Sequence, residues 1–190
     1  SPELVQVEDI MEFELDGTDV NPGERKPYLE RFIHGAIYEK RPEIQSVVHN
    51  HAYEVLPFGV TNTPIRPVFH SAGRIGKEIP VWDIHDYFGD TNLLVANHEQ
   101  GLSLAETLGD NYAVLMRGHG CTVAGITLEE AVLSAIYLMV NARVQMQSMQ
   151  LGDVKYLSIG EADLNSQYNQ PPVATERAWE FLCKRVQEKD

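Results

Sequence analysis

Two histidines two residues apart, His49-Asn50-His51, close the run Ser46-Val47-Val48-His49-Asn50-His51. That run has the character of a β-strand, and strand alternation puts His49 and His51 on one face with Val48 and Asn50 on the other. Paired imidazoles on one face make a bidentate metal seat, and neutral imidazole suits Zn, Mn, Fe or Co. A catalytic site of this kind keeps three protein ligands and an open position. The third candidate is His119, set between Gly118 and Gly120. Flanking glycines let the backbone come close and take unusual dihedrals, which helps aim a ligand. The plainer alternative places His49 and His51 on a solvated sheet face and His119 in a turn. Glu30 and His34 add to the metal reading, being a carboxylate and an imidazole one helical turn apart. Glu30 suits general acid/base work if burial raises its pKa. A surface helix carboxylate is the competing reading. His34 reads either as a partner that positions Glu30 or as a packed helix histidine.

The elements that must position these residues are legible as patterns. Ile10 to Leu15 reads as a short strand closed by Asp16-Gly17. Pro27 suits a helix's first turn, and from Tyr28 the positions Leu29, Phe32, Ile33, Ala36 and Ile37 recur with helical period until Arg41-Pro42. Glu30 and His34 fall just beyond one edge of that apolar face. Val68 to His70 and Ile79 to Trp82 read as strand pieces, and His98 to Leu108 as a helix closed by Gly109. Tyr112 to Arg117 reads as another strand. Extended through His119, it would put Arg117 on the face of His119, where a guanidinium could fork onto a substrate carboxylate. An ion pair with an acidic residue on the sheet is the alternative for Arg117. Thr127-Leu128-Glu129-Glu130 has the form of a capping box before a long helical stripe reaching Met146. A final amphipathic helix carries Trp179, Phe181 and Leu182. Strands and helices therefore mix within one domain.

Composition narrows the function classes. The chain has 190 residues, 15 Lys+Arg against 28 Asp+Glu and a formal charge of −13. That charge, with no basic run, argues against nucleic acid or an anionic membrane as main partner. No apolar run approaches the roughly 20 residues of a membrane span. Cys121 and Cys183 cannot build a disulfide scaffold, so a reducing cytoplasm is the expected compartment. The opening stretch lacks the basic region and apolar core of a targeting peptide, and also an initiator Met. It reads like the interior of a folded protein, so residues are expected before Ser1.

Taken in order, Glu30, His34, Tyr38, Arg41-Pro42, Val47 to His51 and Arg117-Gly118-His119-Gly120 resemble the class II aldolase/adducin family. The resemblance runs from about Ser1 to near Leu151. It implies a three-layer α/β/α single domain around a largely antiparallel sheet, spanning 1–190 and lacking here an N-terminal helix and strand. It further implies a homo-oligomer, a tetramer or a multiple, with sites at subunit interfaces. Three histidines, matching His49, His51 and His119, would bind one divalent metal ion per subunit, Zn2+ or Mn2+, with Co2+ and Fe2+ also compatible. The family's acid/base carboxylate falls on Glu30. Where sugar-phosphate aldolases and epimerases carry phosphate-holding hydroxyls, this chain has Tyr28 and Leu29. Where an aldolase tyrosine is expected, Ile84 and His85 stand.

The stretches Glu30 to Gly35, Met116 to Gly120 and Ile136-Tyr137…Asn141-Ala142-Arg143 are similar to the branch that decarboxylates hydroxy-aromatic dicarboxylates. The expectation is a metal-dependent lyase acting on an anionic phthalate- or pyridine-type acid, as in aromatic-compound degradation. Arg117 and His34 are its substrate-binding candidates and Glu30 its acid. An aldolase or epimerase of sugar derivatives, and a non-catalytic adducin-like assembly module, are the alternatives. Tyr168 is a C-terminal residue that could close over a neighbouring site. Gly73 to Lys77 has the wrong spacing for a phosphate loop, Cys121 reads as a packed residue, and His70, His85 and His98 read as structural or exposed.

Overall fold

A computed structural model describes residues 4–77, 79–166 and 172–187. Tyr168 lies outside them. Helix α1 spans Arg31–Lys40, β1 Ser46–Asn50, α2 Leu56–Gly59, β2 Val81–Trp82 and α3 Ile84–Phe88. There follow α4 at His98–Leu108, β3 at Ala113–Met116, β4 at Gly120–Gly125, α5 at Leu128–Leu151, α6 at Ile159–Leu164 and α7 at Pro172–Gln187.

The four strands form one sheet in the order β1-β4-β3-β2. Strand β4 runs antiparallel to both neighbours, while β2 and β3 are parallel. Alternation along the buried strands builds two cores. Val47, Val114, Met116 and Ala124 pack with Ile33 and Ile37 of α1 and with Leu104 and Leu108 of α4. Ala113, Leu115, Cys121 and Val123 face Ala135, Leu138 and Ala142 of α5. The result is the expected α/β/α layering with a mostly antiparallel sheet.

Local chemistry sets the element ends. Asn97 caps α4 by accepting from the Gln100 N–H at 2.9 Å, and Gly109 closes it at φ 53°. Thr127 accepts from the Glu130 N–H at 3.2 Å. The Glu130 carboxylate reaches back to the Ile126 N–H instead of Thr127, so the expected box is only half formed.

Three expected elements differ. Ile10 to Leu15 forms a single bridge, Phe13 to Asp19, because no further strand lies alongside it. Helix α1 begins at Arg31 rather than near Pro27, with Glu30 as its N-cap residue. Tyr28 and Leu29 are 55% and 42% exposed, so no buried face draws the chain into a helix before Glu30. Val68 to His70 is no strand, and a 3-10 turn starts at His70. The chain before it is held by helix side chains instead of a ladder. Asn141 donates to the Arg66 carbonyl and accepts from the Val68 N–H. Gln145 accepts from the Arg66 N–H and donates to the Pro64 carbonyl. Both amides are fully buried.

Candidate metal centre

The strand, the hairpin and the start of α1 bring Glu30, His49, His51 and His119 together, with one donor atom of each inside a 4.8 Å span. His49 sits in β1 opposite Thr122, and His51 lies just past the strand's end. Their Nε2 atoms are 3.1 Å apart, so alternation aims both at one point. His119 ends the turn between β3 and β4, closed by its own N–H donating to the Met116 carbonyl. Gly118 takes φ 65° there. At Gly120 a Cβ would lie 2.2 Å from the Asn50 carbonyl oxygen, so only glycine lets the turn approach the end of β1. The His119 Nε2 then comes 2.9 Å from that of His51.

The far side of each buried ring is anchored. His49 Nδ1 lies 3.1 Å from the Cys121 carbonyl oxygen, and His119 Nδ1 lies 2.8 Å from that of Leu93. A carbonyl only accepts, so both Nδ1 atoms carry protons and both Nε2 lone pairs face inward. His51 can donate through Nε2 to one of these neighbours and not to both. A cation between the three nitrogens resolves this crowding. A tetrahedral ion with bonds of about 2.0–2.1 Å sets its ligand atoms about 3.3–3.4 Å apart. The donor set and spacing therefore fit a divalent ion.

Glu30 faces the same point. Its Oε1 is 3.3 Å from His119 Nε2, and its Oε2 is 3.3 Å from His49 Nε2 and 4.0 Å from His51 Nε2. The Val95 N–H also donates to Oε1, at 3.3 Å. The residue is 4% exposed. Burial pushes its carboxyl pKa up, as the sequence reading expects. His119 and His49 outweigh burial and hold the carboxyl below the usual range when their Nε2 atoms carry a proton toward it, a place that a bound cation would otherwise take, so the resting group is a carboxylate. Burial also lowers His51, with the charges of His49 and His119 adding to it, which favours the neutral ring a metal needs. The side chains of His49, His119 and Glu30 are buried while that of His51 is 57% exposed, so the cluster opens to solvent on the His51 side.

His34 lies one turn along α1, and burial followed by the charge of His49 brings its pKa down to about 4. It is a neutral neighbour of the cluster. Arg117 is placed elsewhere. Strand β3 stops at Met116, and Arg117 enters the turn, so the extended path that would align it with His119 does not form. Its guanidinium pairs with Asp83 and lines a separate cleft of about 460 Å3 with Thr61, Asn62 and Asp86. The ion-pair reading is the one observed. Cys121 is packed as expected, and burial pushes its thiol up to about 12. His98 meets Glu39, His85 meets Asp90, and His70 is exposed.

Four contributors escaped sequence reading: the carbonyls of Leu93 and Cys121, the Val95 N–H and the Tyr28 hydroxyl. Backbone groups carry no residue signature. Tyr28, set aside as unable to hold phosphate, donates to Glu30 Oε2 at 3.3 Å.

This fold and site define the class. The family described as Class II Aldolase and Adducin N-terminal domain matches residues 1–146, and the chain belongs to it. Among curated relatives, decarboxylase tropJ of Talaromyces stipitatus is 40% identical over 155 residues, covering 75% of this chain and 58% of its own length. The 3,4-dihydroxyphthalate decarboxylase of Arthrobacter keyseri is 28% identical over 192 residues, 96% of this chain and 75% of the relative. The chain thus spans only part of the relatives it matches. A solved aldolase II superfamily protein from Pseudomonas syringae superposes with a TM-score of 0.74 at 18% identity, over 94% of this chain and 71% of that one. Among the described residues no helix is long and apolar enough to cross a membrane.

Proposed function

We propose that the protein is a divalent-metal-dependent carbon–carbon lyase that decarboxylates a hydroxy-aromatic carboxylate of the phthalate or pyridine type. One observation carries the reading: three inward-facing Nε2 atoms converge within 4.0 Å of one buried carboxylate. The decarboxylase names of the two curated relatives support the same branch. His49, His51 and His119 would hold the ion, with Zn2+ or Mn2+ suiting three imidazoles and an open position. When bound, such an ion stabilises negative charge on substrate oxygen while a neighbouring C–C bond breaks.

The remaining steps belong to this chain's residues. Glu30, ionised at rest, accepts the ring hydroxyl proton and passes it to the carbon bearing the leaving carboxylate. CO2 departs, aromaticity returns, and the ring oxygen is left needing one proton. Glu30 is thus a shuttle, base first and acid second, which starts from the ionised carboxyl. Neutral His34 keeps a second positive charge away from it. The reading further takes the protein as a homo-oligomer with sites between subunits; Tyr53, two residues from His51 and 82% exposed, would then be covered.

The test is CO2 release by metal-loaded protein from a panel of hydroxy-phthalates and hydroxy-pyridine dicarboxylates. Release from at least one, abolished by chelation and restored by the ion, is expected. Turnover of sugar phosphates with none of the ring acids would overturn the substrate class.

A further inference from the structure

Each decarboxylation consumes one solvent proton, yet Glu30 is 4% exposed. A route from water to that carboxylate is therefore required. Tyr28 is 55% exposed, and its hydroxyl donates to Glu30 Oε2. Tyr28 also lines a cleft of about 340 Å3 with Glu14, Arg31, His34 and Tyr38, and none of the three metal-site histidines lines it. Neither Glu30 nor His51 lines the cleft, so the cleft meets Glu30 through the Tyr28 hydroxyl and not through the opening beside His51. His34 borders the same cleft, but among the described contacts no hydrogen bond joins it to Glu30.

We propose that Tyr28 is a proton relay between this cleft and Glu30, a positioning residue that acts through Glu30 and not on the substrate. A hydronium ion or buffer acid in the cleft gives a proton to the Tyr28 oxygen as Tyr28 passes its own to Glu30 Oε2. The phenol ends neutral. Glu30 then hands the proton to the product's ring oxygen and returns to carboxylate. Protons thus enter by one face while substrate uses the other, so a bound ring does not block resupply. Tyr28 stands where the sugar-phosphate relatives carry a phosphate-holding hydroxyl, and here its hydroxyl acquires a different task. The proposal rests on the lyase reading above.

The test compares metal-loaded wild type with Tyr28→Phe, a change at a half-exposed ring that leaves the packing intact. The expected result is a kcat at least about tenfold lower, with KM and metal content unchanged. A small acid such as imidazolium should restore the rate in proportion to its concentration. The solvent deuterium isotope effect on kcat should rise in the variant. A kcat within twofold of wild type, a loss that tracks metal content or KM, or a loss that added acid does not restore would each overturn the relay. If wild type cleaves sugar phosphates but no ring acid, the decarboxylase reading fails. The relay is then read from exchange of the product C–H with D2O. Slowing by Tyr28→Phe supports it, and exchange at the wild-type rate overturns it. No turnover on either panel overturns both.

Discussion

The carbonyl oxygen of Leu93 accepts the Nδ1 proton of His119 at 2.8 Å, and Leu93 does so from a left-handed backbone conformation, φ 66°. Among the described residues it is the one non-glycine at positive φ. Such a conformation costs about 1–3 kcal/mol and persists where surroundings enforce it. Thr91 and Asn92 enforce it through side chains that accept from the Leu93 and Leu94 N–H groups. Leu93→Pro, with φ locked near −65°, should move this carbonyl and weaken metal affinity about 10–100-fold. Leu93→Gly should leave affinity near wild type. Metal titration of both variants is the check.

Removing a ligand and removing the shuttle should separate cleanly. His119→Ala should lose the ion, seen by elemental analysis after dialysis. Glu30→Gln should keep the ion and lose turnover by at least about 10²-fold. Equal metal loss in the two variants would contradict the division of roles.

The pH dependence of stability follows from His34. Its folded pKa is about 4 against an ordinary 6.5, so between those values the unfolded chain binds the extra proton. Stability therefore rises with pH across that window and is lost as pH falls from about 6.5 toward about 4. His34→Gln should flatten this slope in metal-free protein, measured by urea denaturation at a series of pH values.

Asn141→Leu should destabilise the fold by about 2–4 kcal/mol, since two part-buried backbone groups lose their partners, each in the lower part of a penalty of about 1–3 kcal/mol. Thermal unfolding gives the number, and a change under about 1 kcal/mol would show that the segment finds other partners.

Arg117→Met should leave KM for a dicarboxylate within about twofold and stability within about 1 kcal/mol, as for a part-exposed ion pair. A KM rise of tenfold or more would restore Arg117 as a substrate clamp. With that guanidinium committed to Asp83, an ion held by the three histidines would have to supply the attraction of an anion into a protein of charge −13.

How much of this was legible depends on whether side chains or backbone carry the information. That His49 and His51 point the same way follows from alternation, and His119 joins them through the glycines that shape its turn. Helix α4 took its expected span, which Gly109 closes, while the Asn97 cap at its start came only with the structure. Arg117 was misplaced because the apolar run Tyr112 to Met116 gives no sign that pairing stops at Met116. The segment before His70 was taken for a strand because its residues are strand-like. The missing signal lay 70 residues further on, in two amides four apart on the buried stripe of α5.

One short backbone stretch governs both halves of the site's chemistry. Leu93 offers an oxygen to His119, and Val95 offers a hydrogen to Glu30. Opposite polarities two residues apart settle which ring nitrogen is bare and how the carboxylate is turned. The Leu93 and Val95 side chains therefore bear on this chemistry only through the path of the main chain, which the core packing of Val95 helps to hold. A residue inserted between them would put the carbonyl and the N–H out of step, so that His119 and Glu30 could not both be held.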